Sequence, residues 1–100
     1  MQISYQSGNA EDILERIREQ LGGRKLSKIL EFDLQGDDLR VTIRKMGSSH
    51  LHFVRQERKG SLTWELQSEK IALAHRAFKD EVMEKIIKII MQTGGSVKDI

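Results

Sequence analysis

Cysteine is absent from the chain, which excludes a disulfide scaffold, thiolate metal sites and a cysteine nucleophile. Proline is absent too, so cis-proline turns and proline-rich recognition segments are excluded, and the turns fall to glycine, aspartate and serine. No apolar run approaches the roughly 18 residues of a membrane span, and nothing at the N-terminus reads as a signal peptide. The expectation is a cytoplasmic protein with no membrane partner. Charge of one sign is also lacking: 17 basic against 15 acidic residues leave a formal net charge of +2, with the two signs interspersed. So small an excess does not imply a polyanionic partner.

What is present is an ordinary globular composition, 38% apolar and 32% charged over 100 residues, enough for one domain with a single two-layer core. Residues 1–95 read as that domain and 96–100 as a flexible C-terminal tail. The longest helical pattern runs from Ser68 to Thr93, with Ser68 as the expected N-cap and Gly94 and Gly95 supplying the residue of positive φ that closes a helix. Residues spaced at about 100° put Ile71, Ala74, His75, Phe78, Val82, Ile86 and Ile89 on one face. From Val82 to Met91, the apolar positions Met83, Ile87, Ile90 and Met91 widen that stripe to roughly 200° of the circumference. Glu81, Glu84, Lys85, Lys88 and Gln92 are left for water, and Glu81 with Lys85 and Glu84 with Lys88 form i,i+4 pairs in the favourable order.

Ahead of this helix, Met1 to Gln6 alternates as a short strand does, with Ile3 and Tyr5 on one side. Asn9 and Asp12 are placed to cap a helix from Ala10 to Leu21 whose stripe is Ala10, Ile13, Leu14, Ile17 and Leu21, ended by Gly22 and Gly23. From Leu26 to Gln67 the period is two, and four strands fit: 26–35, 38–46, 50–57 and 61–67. A two-residue loop at Gly36 and Asp37 sets Leu34 against Leu39, Phe32 against Val41 and Leu30 against Ile43. A loop at Gly47–Ser49 sets Ile43 against Phe53 and Arg44 against His52. A loop at Lys59 and Gly60 sets Phe53 against Leu66 and Arg55 against Trp64.

The predicted fold class is therefore α+β in the order β-α-β-β-β-β-α, an antiparallel meander sheet with two helices packed on one face. Phe32, Phe53, Trp64 and Phe78 form its expected aromatic centre, and the position of the N-terminal strand in the sheet stays open. This element order resembles that of small bacterial granule-associated proteins of the polyhydroxyalkanoate system and, less one strand, is similar to ribosome-hibernation factors. The likeness is one of shape and carries over no residue roles.

Several sites follow from the residues. The outer sheet face carries acids and bases in alternating cross-strand pairs, the pattern of a solvated surface. His50 and His52 project together from one strand, a spacing a metal can use, but no third ligand accompanies them and no metal is expected. His75 reads as a core histidine hydrogen-bonded to a strand carbonyl. Gly22–Gly23 and Gly94–Gly95 follow helices instead of opening them, so they are caps and not phosphate cradles. No catalytic residue and no cofactor is expected.

The leading functional reading is a non-enzymatic protein-interaction module that self-associates as a homodimer through residues 82–91, with Met83, Ile87, Ile90 and Met91 at the interface. Against it stands coverage of the same patch by the N-terminal strand, or by the tail with Val97 and Ile100. A nucleic-acid (RNA)-binding module is the alternative, contacting phosphates through Arg40, Arg44, Arg55, Arg58 and Lys59 with Lys45 nearby; since every Phe and the Trp point inward, it has no stacking platform. A third reading is a ligand pocket between helix and sheet lined by Trp64, Phe78 and His75.

Overall fold

The computed structural model describes residues 1–6, 8–22, 28–58 and 60–98, and of Glu57, Arg58 and Phe78 the backbone alone. In chain order, β1 is Gln2–Tyr5, α1 Ala10–Leu21, β2 Leu30–Gln35, β3 Asp38–Arg44, β4 Ser48–Arg58 and β5 Ser61–Lys70. A 3₁₀ segment, Leu73–Phe78, leads into α2, Lys79–Gln92, and β6 is Gly95–Lys98. The six strands make one antiparallel sheet in the order β2-β3-β4-β5-β1-β6. The predicted α+β meander stands, with a sixth strand added.

Local chemistry builds α1 as its pattern predicts. The Asn9 side chain accepts from Asp12 N–H at 2.8 Å, Glu11 and Asp12 occupy the positive end of the helix dipole, and Arg18 the negative end. Ala10, Ile13, Leu14, Ile17 and Leu21 are all buried. Gly22 N–H closes the helix on the carbonyls of Arg18 and Glu19, and its φ of −56° shows that no left-handed residue is used at that position. Together with Ile86, Ile89 and Ile90 of α2, these side chains pack on Ile3, Tyr5, Phe32, Leu39, Val41, Leu51, Phe53, Leu62 and Trp64 of the sheet. Each such burial contributes about 1.5–3 kcal/mol.

Two of the three predicted hairpins have the expected register: Leu34 faces Leu39, Phe32 faces Val41 and Leu30 faces Ile43, while Phe53 faces Leu66 and Arg55 faces Trp64. The β3–β4 hairpin differs. Its loop is Lys45, Met46 and Gly47, so Arg44 pairs with Ser48 and Leu39, not Ile43, faces Phe53. Met46 at φ 55° and Gly47 at φ 120° make this tight reversal. The change moves the pairing by an even number of residues, so every side chain keeps its face.

That shift also overturns the predicted helix start at Ser68. Because β4 begins at Ser48, its first turns of ladder reach His52, Leu51 and His50, which pair with Ser68, Glu69 and Lys70 across a register shift between His52 and Phe53. Backbone groups of residues 68–70 are thereby taken by the sheet. The chain then turns at Ile71 and Ala72 and winds as a 3₁₀ segment before α2 begins at Lys79. Ala74, placed on the buried stripe by the helical pattern, is exposed in consequence.

The tail reading is corrected as well. Residues 95–98 form β6, paired with β1 so that Tyr5 faces Gly95, Ile3 faces Val97 and Gln2 faces Lys98; Asp99 and Ile100 lie outside the described residues. β1 is thus interior, between β5 and β6. Antiparallel pairing throughout makes β5 and β6 parallel to each other, with α2 crossing over β1 to join them, while α1 carries the chain from β1 to the far edge at β2.

Candidate functional site

The helical flank predicted as an interface divides when placed in the fold. Ile90 is fully buried, held between Tyr5 and Gly95: a Cβ on Gly95 would come within 2.7 Å of both Ile90 Cγ2 and Tyr5 Cζ. It belongs to the core, because β6 folds back beneath the last turn of α2. Met83 and Ile87 are half-buried, Met83 packing on the core's margin, and Met91 is 62% exposed.

These three share one flank of α2, spaced i,i+4. On the opposite flank, Glu81, Val82 and Lys85 border a hollow of ≈ 160 Å³ with Ile29, Leu30, Ile43 and Lys45, on the side of β2 and β3. At about 100° per residue the Met83–Ile87–Met91 row therefore points the other way, over β6, the last strand in the sheet order. Glu84 and Lys88, both exposed, run along the outer side of that row.

The end of α2 is fixed from three directions. Thr93 Oγ1 lies 3.0 Å from the Ile89 carbonyl and 2.9 Å from that of Ile90, and those oxygens can only accept. Its hydroxyl proton is committed there, so the Tyr5 hydroxyl donates to Thr93 Oγ1 at 2.7 Å. Arg16 Nη1 donates to the Thr93 carbonyl at 3.3 Å, setting a cation at the negative end of a helix that has no basic residue in its last turn. Burial raises the Tyr5 pKa above its ordinary value, outweighing the lowering by the Arg16 charge.

His75 is a buried core histidine, as its place in the pattern suggests, although its carbonyl partner lies in a hairpin loop instead of a strand. Its Nε2 contacts the Lys45 carbonyl, which can only accept, so in the neutral ring the proton sits on Nε2. Nδ1 then accepts from Ser49 Oγ, and Ser49 Oγ in turn accepts from Ala72 N–H at 2.8 Å. A serine beside a histidine is the geometry of an activated nucleophile. Here the serine is 0% and the histidine 2% exposed, and the hydroxyl oxygen already holds a backbone N–H, so the pair ties the β3–β4 loop to the segment after β5.

Among the described residues, the proposed phosphate contacts are split between the two faces of the sheet, Arg40 and Arg44 on one and Arg55 on the other. Arg44 is paired with Glu31 at 2.8 Å and Arg55 with Asp37 at 3.4 Å. Arg40 stands on the outer face opposite His52, whereas Arg55 shares the face of Trp64. The Arg58 side chain and Lys59 lie outside the described residues. Lys45, expected nearby, belongs to the loop at the other end of β4, a consequence of the corrected register.

The residues proposed to line a pocket are also dispersed. Trp64 is fully buried and donates its Nε1–H to the Asp37 carbonyl at 2.8 Å, at the β2–β3 turn, while His75 sits at the β3–β4 loop, and the Phe78 side chain is not described. His52 Nε2 approaches Asp38 Oδ2 at 3.4 Å but makes no aligned hydrogen bond, and His50 Nδ1 lies 3.4 Å from Thr42 Oγ1. Among the described residues, no group of three or more potential ligands could hold a metal ion.

Two further apolar side chains stand in water, Met46 at 83% and Leu73 at 81% exposure. Neither is singled out by periodicity, since one occupies a turn and the other the start of the 3₁₀ segment. Among the described residues no helix is long and apolar enough to cross a membrane. No family model, curated protein or solved structure matches the chain.

Proposed function

We propose that the protein is a small interaction module, without catalytic activity of its own, that self-associates through the free flank of α2. The observation that carries this reading is the row Met83, Ile87 and Met91 above a sheet edge, ending in a methionine that is 62% exposed. Burying a contiguous apolar row of this kind is the usual reason for association. The charges beside it favour a second copy as partner. With two α2 helices antiparallel about a two-fold axis near Ile87, Met83 meets Met91 of the other copy, and Glu84 lies within a turn of the opposing Lys88.

Light scattering behind a sizing column tests the reading. The unchanged chain is expected to run as a dimer and Met91→Glu as a folded monomer, since position 91 is exposed and tolerates charge. Glu84→Lys and Lys88→Glu each set like charges face to face and weaken the dimer by about tenfold, and their combination restores it. An unchanged chain that stays monomeric at high micromolar concentration, or a dimer indifferent to both sets of changes, overturns the proposal.

A further inference from the structure

The α2 flank does not stand alone: among the described residues, the strand directly below it ends the sheet. The Leu66 N–H donates to the Met1 carbonyl at 2.9 Å, which makes Met1 and Leu66 a hydrogen-bonded pair of the β1–β5 ladder. Alternation then turns the backbone groups of Ile3 and Tyr5 toward β5 and those of Gln2 and Ser4 toward β6. Across β6, Ser96 and Lys98 use their backbone groups on β1, and Gly95 and Val97 direct theirs to the open edge.

Open edges of this kind pair with other strands, and natural sheets commonly protect them with charge, proline or a covering segment. β6 is only four residues long and its one charge is Lys98, but among the described residues no side chain or segment covers its outer backbone groups. Ser96 and Lys98 point to the outer face, Val97 points inward beneath α2, and Gly95 has no side chain.

Resting on the reading that α2 self-associates, we infer that the partner copy docks edge to edge, β6 against β6, so that two six-stranded sheets merge into one with both α2 helices side by side on the same face. The register is set by three independent features. Outward backbone groups on Val97 allow Val97 to face its own copy as a hydrogen-bonded pair on the two-fold axis. In that register Lys98 meets Ser96 of the partner, whereas a shift of one residue toward the C-terminus would set Lys98 against Lys98, a repulsive pair.

The third feature is the height of the axis along the helix. Ile90 lies over Gly95, and α2 and β6 run antiparallel from there. Two residues of strand, about 6.6 Å, correspond to about 4.4 residues of helix, so the axis through Val97 passes α2 near Ile86, within about half a turn of Ile87. Strand and helix thus ask for the same two-fold axis, although they were positioned by different chemistry.

Because the chain contains no cysteine, single cysteines report this geometry directly. Ser96→Cys and Lys98→Cys are both exposed and leave the core intact. In the inferred register residues 96 and 98 of opposite copies form a non-hydrogen-bonded pair, whose Cα separation of about 4.5 Å suits a disulfide. An equimolar mixture of the two variants is expected to give at least tenfold more oxidised dimer, as the 96–98 species, than either variant alone. A light-scattering dimer without that preference, or with Ser96→Cys linking to itself, overturns the strand docking while leaving the helix reading in place. A monomer overturns both.

Discussion

Gly95 lies against the ring of Tyr5, its cross-strand partner, so closely that a Cβ at position 95 would stand 2.7 Å from Tyr5 Cζ and 2.9 Å from Cε2. This contact joins the first strand to the last and lets α2 settle onto both. It also explains why the second glycine of the pair at 94–95 is not a helix cap. Gly94, at φ 96°, ends the helix, and Gly95 provides room.

Gly95→Ala is therefore expected to destabilise the fold by about 1–3 kcal/mol, as overpacking does, while the neighbouring Ser96→Ala stays within about 0.5 kcal/mol. Chemical denaturation midpoints at equal m-value measure both. Equal stability of the two variants would remove the close packing of β6 from the account.

Tyr5 provides a pH test on a single chromophore, because it is the one tyrosine of the chain. Its folded pKa is raised above the usual value near 10, chiefly by burial, so the unfolded chain loses the proton at lower pH than the folded one. The stability tied to the neutral ring is fully present below pH about 10 and is lost as pH rises from there through the folded pKa. Denaturation at pH 8 to 11 should show this decline, and Tyr5→Phe should flatten it. The phenylalanine variant also loses about 1 kcal/mol at neutral pH with the Thr93 hydrogen bond.

The clamp made by His75 is expected to behave as a unit. Ser49→Ala removes the acceptor of Ala72 N–H and the donor to the ring, and His75→Ala removes the ring N–H from the Lys45 carbonyl; each costs about 1–3 kcal/mol, with cavity formation adding to the second. The double variant should cost less than the sum of the two, with a coupling of about 0.5–3 kcal/mol in a double-mutant cycle. Additive costs would mean that the two side chains act separately.

Trp64, the single tryptophan, is fully buried with its indole N–H on the Asp37 carbonyl. Its fluorescence should be blue-shifted and resistant to iodide in the folded protein. Trp64→Phe should cost about 2–4 kcal/mol through lost volume and an orphaned carbonyl, whereas Arg44→Ala, which breaks an exposed ion pair with Glu31, should change stability by less than about 1 kcal/mol.

Much of this architecture is written locally. Asn9 with Asp12 marks the start of α1, and the spacing of Ile13, Leu14, Ile17 and Leu21 marks its buried face. Gly36 at φ 61° makes the two-residue β2–β3 turn that fixes the pairing of Leu34 with Leu39. In each case the deciding groups are within a few residues of one another, so period and turn chemistry suffice.

The helix start illustrates the opposite situation. Ser68, Glu69 and Lys70 can cap or open a helix as readily as they can extend a strand, and the choice falls to β4, which offers them His52, Leu51 and His50 as ladder partners. Ile90 and Met91 are adjacent and both apolar. One is buried and the other 62% exposed because Tyr5 and Gly95 reach the first and nothing among the described residues encloses the second.

The amino-acid sequence alone determines the fold class, the faces of α1 and the strands, two of the three hairpin registers and a buried role for His75. Only the tertiary structure decides that β1 lies between β5 and β6, that residues 95–98 are a strand, and that Ile90 is buried while Met83 and Ile87 are half-buried and Met91 is exposed. The reason is physical: periodicity and capping act between neighbours in the chain, whereas strand order and exposure depend on competition for burial between segments as far apart as Tyr5 and Gly95.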